Sequence, residues 1–152
     1  MSNRLLAIVG PTAVGKSALA VKVASLLDGE IVSADSRQVY RYMDIGTSKP
    51  SFVDRSTVPH HLLDVVDPEE SYSLALFLDQ AKEAIRQIQE RCRLPTLVGG
   101  TGQYVWALLE GWQVPRYPPA VKLRESLERR AESEGPGTLH AELARLDPEA
   151  AA

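Results

Sequence analysis

The sequence predicts an α/β domain, a parallel β-sheet flanked by helices with its ligand edge at the C-terminal ends of the strands. Three observations carry that expectation. Apolar runs at 5–9, 30–33 and 96–98 alternate with helical patterns at 17–27 and 73–92, the strand–helix rhythm of a parallel sheet. Each run stops at a polar or glycine-rich segment: Gly10–Ser17, Asp35–Gln38 and Gly99–Gly102. Right-handed crossovers bring such segments to one edge, where sheets of this class bind ligands.

Taken in order, Leu5 to Val9 reads as a fully buried strand closed by Gly10-Pro11. Ser17 to Leu27 is rich in Ala, Leu and Val, so both faces of this helix are expected to be covered, with Gly29 as a left-handed C-cap. Glu30 to Ser33 is a second strand. Residues 40–70 hold Asp44, Gly46, Pro50, Pro59, Asp67 and Pro68 and look irregular. Ser73 is placed to cap a long helix whose apolar face is Leu74, Phe77, Leu78, Ala81, Ile85, Ile88 and Cys92, with Pro95 as its stop. Thr96 to Val98 is the third strand, and Tyr104 to Glu110 a short helix ended by Gly111. Pro115 to Pro119 reads as a linker, Pro119 to Glu134 as a helix, Gly135-Pro136-Gly137 as a turn, and Thr138 as the cap of a helix through Leu146. Pro148 looks like the start of another.

The 152 residues suit one domain, and burial of roughly 70% of the unfolded surface is within reach of such a chain. With 44% hydrophobic and 24% charged residues, disorder over the whole length is excluded. No apolar run approaches a membrane span. A single cysteine, Cys92, excludes an intramolecular disulfide and a thiolate-cluster metal site, and a cytoplasmic location is expected. A net charge of -3 argues against indiscriminate nucleic-acid binding. Residues 116–130 are nevertheless basic: Arg116, Lys122, Arg124, Arg129 and Arg130 stand against Glu125 and Glu128. That block is either an ion-paired helix face or a phosphate-contacting edge.

Gly10-Pro11-Thr12-Ala13-Val14-Gly15-Lys16-Ser17 matches the P-loop pattern G-x-x-x-x-G-K-[ST], between a strand and a helix as that motif requires. The glycines let backbone N–H groups point inward, and the helix start adds its positive dipole end. Lys16 brings an ammonium to phosphate oxygens, and the Ser17 hydroxyl is a hard ligand for Mg²⁺. Polyphosphate binding follows. Nucleotide-hydrolysing members of the P-loop class carry a second strand ending in a magnesium-holding Asp. Here Thr96-Leu97-Val98 ends in Gly99-Gly100-Thr101 instead, which argues against a motor or switch ATPase.

Asp35 follows the second strand and has three candidate roles: general base, magnesium orientation, or capping of the next helix start. Arg37 and Gln38 add a guanidinium and an amide, the latter suited to a two-point contact with an adenine edge. Gly99-Gly100-Thr101-Gly102 has the wrong spacing for a dinucleotide fingerprint and instead allows close approach of backbone to ligand, with the Thr101 hydroxyl facing the cleft. His60-His61 alone do not make a metal site, and a structural or substrate-edge role is expected for them.

Together these segments resemble the tRNA dimethylallyltransferase (isopentenyl-tRNA transferase) family. The stretches that carry the resemblance are 10–17, Ser33-Ala34-Asp35-Ser36-Arg37-Gln38-Val39-Tyr40, Met43-Asp44-Ile45-Gly46-Thr47-Ser48-Lys49-Pro50, His60-His61-Leu62-Leu63-Asp64, Tyr72-Ser73, 97–104 and 147–151. The resemblance implies a P-loop NTPase-like core and transfer of a dimethylallyl group from its diphosphate to the exocyclic amine of an adenosine beside the tRNA anticodon. It implies that Gly10, Pro11, Thr12, Ala13, Val14, Gly15, Lys16 and Ser17 hold the diphosphate with Mg²⁺, Ser17 being the metal contact. Asp35 and Thr101 are then catalytic, Asp35 as the base. Asp35, Ser36, Arg37, Gln38, Thr101 and Lys122 contact tRNA, whose anticodon arm is the expected partner. A monomer that touches no membrane is expected. Family members continue well past residue 152, so the chain reads as the N-terminal part of the catalytic core, without the helical insertion that grips tRNA, and is expected to turn over poorly alone. A small-molecule P-loop kinase shares the cradle and stays open as an alternative. A non-enzymatic tRNA-binding remnant, acting through residues 116–130, is a third reading.

Overall fold

The computed structural model describes residues 4–116, 120–135 and 137–152. Two compact units divide the chain, Met1–Pro115 and Arg116–Ala152.

The first unit is built on a four-stranded sheet: β1 (Leu6–Val9), β2 (Gly29–Ser33), β3 (His60–His61) and β4 (Leu94–Gly99), in the order β1-β4-β2-β3. All pairs are parallel, with Ala7 beside Leu97, Ile31 beside Thr96 and Val32 beside His61. Helices α1 (Lys16–Leu26), α2 (Phe52–Thr57), α3 (Leu74–Glu90) and α4 (Gly102–Leu109) complete it. Successive strand residues face opposite sides, and this sorts the core into two layers. Ile31 and Val98 meet Ala20 and Ala24 of α1 on one face. Val32 and Leu97 meet Phe77, Ala81 and Ile88 of α3 and Val105 of α4 on the other. The α/β parallel sheet expected from the sequence is therefore present.

α3 forms where the apolar spacing placed it. The Ser73 hydroxyl accepts from the Leu76 N–H, and Phe77, Leu78, Ala81, Ala84 and Ile88 are buried. Tyr104 stacks on Phe77 with ring centroids 4.2 Å apart, so its ring is core.

Several local expectations are corrected. β1 is not fully buried. It pairs only with β4 and forms the sheet edge, and Val9 is 51% exposed. The two faces of α1 are not both covered: Ala20 and Ala24 are buried against the sheet with Val21 half-buried beside them, while Leu19 and Leu26 lie exposed. Asp28, not Gly29, takes the left-handed position after α1 (φ 48°), and Gly29 opens β2. Pro95 does not stop α3, which ends at Glu90. A left-handed Cys92 turns the chain, and Pro95 sits within β4, near the strand start where a missing N–H is tolerated. Cys92 thus leaves the apolar face and is exposed.

The stretch 40–70 is more ordered than its turn formers suggest. Ser51 and Asp54 form a reciprocal capping box that starts α2, and β3 extends the sheet beside β2.

In the second unit, α5 (Val121–Glu134) and α6 (Gly137–Leu146) are joined by ion pairing of Arg130 with Glu142 at 2.8 Å. Thr138 lies inside α6 and donates to the Glu134 carbonyl, so it is not the N-cap. Residues after Pro148 form a turn rather than a helix, with the Asp147 carboxylate accepting from the Ala150 N–H. Pro119, expected at a helix start, and Pro136, expected in a turn, lie outside the described residues. No helix among the described residues is long and apolar enough to cross a membrane.

Candidate active site at the sheet edge

The loop from Gly10 to Gly15 leaves β1 and enters α1. Its curl needs a left-handed backbone at Ala13 (φ 66°) and Gly15 (φ 85°), and Gly15 as the helix N-cap takes that conformation without the penalty of a Cβ. The loop is therefore set by its own backbone and remains largely exposed. Lys16 Nζ donates to the Pro11 carbonyl at 2.6 Å, holding the ammonium over the loop.

A cavity of about 390 Å³ opens above this loop. Thr12, Ala13, Gly15, Lys16 and Ser17 line it, together with Asp35 and Gln38 from beyond β2 and Gly99-Gly100 from the end of β4. The three segments that the topology was expected to bring together do meet there. Gly99 is required by close approach: a Cβ on it would lie 2.1 Å from the Ala34 carbonyl oxygen. That contact draws the end of β4 against the start of the Asp35 turn. Gly10 and Pro11 line an adjacent hollow with Gly100 and Trp106. Val14 points to solvent, 60% exposed.

Asp35 caps its own turn. Its Oδ1 accepts from the N–H groups of Arg37 (2.9 Å) and Gln38 (3.3 Å), and among the described residues Oδ2 accepts no hydrogen bond. The carboxylate is thereby fixed through Oδ1, and Asp35 is part of the cavity lining. Thr101 Oγ1 accepts from the Ser36 N–H at 3.0 Å and donates to Ser36 Oγ at 3.3 Å, tying the third segment to the second. Arg37 is exposed.

Gln38 is buried and committed to the protein. Its Oε1 accepts from Ser33 Oγ, and its Nε2 donates to the carbonyls of Thr47 (3.1 Å) and Ser48 (3.3 Å). Lys122 lies exposed on α5, in the second unit.

Sequence reasoning missed the part of the cavity's fourth side made by Thr47, Ser48 and Pro50; His60, expected in a structural or substrate-edge role, completes that side. Behind it Lys49, with a side chain only 2% exposed, donates to the Tyr40 carbonyl (2.5 Å), Asp44 Oδ1 (2.8 Å) and Asp64 Oδ1 (2.6 Å). Arg55 completes the group through Asp64 Oδ2 at 2.7 Å. Burial opposes charge on Lys49 and Asp64. The hydrogen bonds between them, with those of Asp44 and Arg55, win: the Lys49 pKa is raised and that of Asp64 lowered. Burial pushes the His60 imidazole below its usual value. The one sequence signal for this wall was Ser51-x-x-Asp54, which fixes the start of α2.

Below the sheet edge, the buried Glu30 accepts from Arg91 (2.7 Å), Arg93 (3.2 Å) and His61 (2.6 Å). The paired histidines are thus structural in part: His61 binds Glu30, and His60 Nδ1 bonds to the Val58 carbonyl. Among the described residues no three His, Cys, Asp or Glu side chains cluster to hold a metal.

A strand–loop–helix phosphate cradle facing a carboxylate and a glycine turn across a parallel-sheet edge defines a P-loop protein of the α/β class. Residues 38–152 match the family described as IPP transferase, and residues 3–58 match the one described as isopentenyl transferase. The chain belongs to the IPP transferase family. It is 62% identical over 148 residues to a tRNA dimethylallyltransferase of Roseiflexus castenholzii, covering 97% of this chain and 48% of that one. A second tRNA dimethylallyltransferase, of Chloroflexus aggregans, is 62% identical over 99% of this chain and 51% of its own.

Among solved structures, the tRNA isopentenylpyrophosphate transferase of Bacillus halodurans superposes with a TM-score of 0.73 at 48% identity, covering 99% of this chain and 50% of that one. A eukaryotic dimethylallyltransferase acting on tRNA gives 0.80 at 32% identity, over 99% of this chain and 37% of its own. The chain spans about half the length of the curated relatives it matches.

Proposed function

We propose that residues 1–152 form the N-terminal part of the catalytic core of a tRNA dimethylallyltransferase. The acceptor is the exocyclic amine of the adenosine beside the anticodon, and the donor is dimethylallyl diphosphate. The observation that carries this reading is the joining of two chemistries in one cavity. The 12–17 loop offers backbone N–H groups and the Lys16 ammonium to a diphosphate, and Ala20, Ile31, Val98 and Pro50 offer apolar surface to a hydrocarbon. This apolar lining suits a hydrocarbon tail, which favours the isoprenoid donor over the kinase alternative.

Mg²⁺ fits the donor set. The Ser17 hydroxyl is a hard oxygen on this cavity, and this ion prefers one or two protein oxygens with the rest from phosphate and water. When bound, it would neutralise charge on the diphosphate. In the reaction the allylic C–O bond breaks, a C–N bond forms to the adenosine amine, and the amine loses a proton. Lys16 and the loop N–H groups stabilise the negative charge that builds on the departing diphosphate, in a geometry already set before reaction. Asp35 takes the proton through Oδ2 as the new bond forms, since a neutral aryl amine gives up no proton beforehand. Its Oδ1 stays bonded to the Arg37 and Gln38 N–H groups, so the carboxylate needs no reorientation. The Thr101–Ser36 pair holds the Asp35 turn against the end of β4.

Ser36, Arg37, Thr101 and Lys122 are the proposed tRNA contacts. Gln38 joins them only by exchanging its bonds to Thr47 and Ser48 for bonds to the base. The site works in a cytoplasmic monomer.

The test is transfer of labelled dimethylallyl to an anticodon-arm RNA, by a protein of the family's full length carrying this sequence. Asp35→Asn should abolish most turnover and leave diphosphate binding nearly intact. Normal turnover in that variant removes Asp35 as the base.

A further inference from the structure

The Lys49 cluster is built more heavily than a surface loop requires. An ammonium buried to 2% exposure is satisfied by three oxygens from three separate places in the chain, Tyr40, Asp44 and Asp64. Arg55 adds a second tie, its Nε donating to the Pro50 carbonyl at 3.1 Å and its Nη1 to Asp64. Around this knot the backbone is strained: Tyr42, Ser48, Leu62 and Asp64 all have φ between 51° and 64° without being glycine. Such residues persist only where neighbouring contacts over-determine them, and they gather near functional sites.

The knot lines a separate hollow and not the cavity, but the loop it ties does line the cavity. Thr47, Ser48 and Pro50, on either side of Lys49, form the cavity wall. From inside, Gln38 holds the carbonyls of Thr47 and Ser48. The wall is thus clamped from both sides, and its position sets the width left for an apolar group against Ile31 and Val98.

We propose that Lys49, with Asp64 and Arg55, is a positioning group that fixes the 47–50 wall against the isoprenoid end of the donor and so contributes to selection of a prenyl diphosphate over a bare one. This rests on the proposed donor. Lys49 touches no substrate; it acts through Ser48 and Pro50. The diphosphate end is held by the 12–17 loop, whose conformation does not depend on Lys49. The inference therefore predicts a selective loss rather than a general one.

The experiment is calorimetric titration of the full chain with Mg²⁺ and either dimethylallyl diphosphate or inorganic pyrophosphate. Lys49→Met should weaken dimethylallyl diphosphate by about tenfold, the low end of what one ill-fitted methylene in an apolar pocket costs, and change pyrophosphate by less than about twofold. Lys49→Arg should recover part of the loss. If Lys49→Met fails to fold, judged by Trp106 and Trp112 fluorescence, Asp44→Asn carries the test. It removes the most exposed partner and should give a smaller loss in the same direction. Equal weakening of both ligands, or no change in either, overturns the inference. Failure of the unsubstituted chain to bind either ligand instead contradicts the proposed donor itself.

Discussion

Glu30→Gln probes how the sheet's buried charge is held. Glu30, the second residue of β2, is 2% exposed and accepts from Arg91, Arg93 and His61. Burial raises its pKa, but hydrogen bonds from Arg91, His61 and Arg93 outweigh that and hold it at about 2, against the usual 4.5. A carboxyl so depressed contributes at most about 3 kcal/mol of stability, fully present above pH 4.5 and lost as pH falls through about 2. Arg91 and Arg93 are 45% and 39% exposed, and solvent screening brings the net figure to roughly 2 kcal/mol.

The glutamine variant keeps the shape and loses the charge. In urea unfolding followed by Trp106 and Trp112 fluorescence, both in the first unit, it should be less stable by roughly 2 kcal/mol at pH 7, or about 8 °C in Tm. The gap between the two proteins should shrink by more than half between pH 7 and pH 3. A gap under about 0.5 kcal/mol at pH 7, or one that stays constant to pH 3, would refute the reasoning.

Lys16→Ala should weaken dimethylallyl diphosphate by roughly 10- to 100-fold, since one charge-assisted contact to phosphate is lost, and calorimetry reads it directly. Gly99→Ala should cost upwards of about 3 kcal/mol, because its Cβ meets the Ala34 carbonyl at 2.1 Å and both are backbone-anchored; a normal melting temperature would contradict that close approach. Ser73→Ala should cost about 1 kcal/mol through loss of the α3 cap, measured by the same urea titration.

The sequence made the sheet edge legible because its signals there are local. The P-loop spacing needs only eight consecutive residues, and the apolar spacing of α3 repeats over four turns. The Lys49 wall was not legible for the opposite reason: Tyr40, Asp44 and Asp64 reach one ammonium, and Arg55 ties to Asp64, from across a stretch (40–64) that reads as irregular. Strand order was equally hidden. β1 looks like a central strand by composition, yet β4 and β2 take the centre of this sheet and leave Val9 exposed. Gln38 reads as a polar side chain suited to a base, and only the fold showed both ends of the amide engaged by Ser33, Thr47 and Ser48.

The central claim is that the cavity over Lys16 takes an allylic diphosphate. A titration of the chain with Mg²⁺ and dimethylallyl diphosphate, set beside one with Mg²⁺ and ATP, tests it most directly. The account predicts saturable binding of the isoprenoid that is tighter than binding of ATP. Tight ATP binding with no heat from dimethylallyl diphosphate would contradict it and favour the kinase.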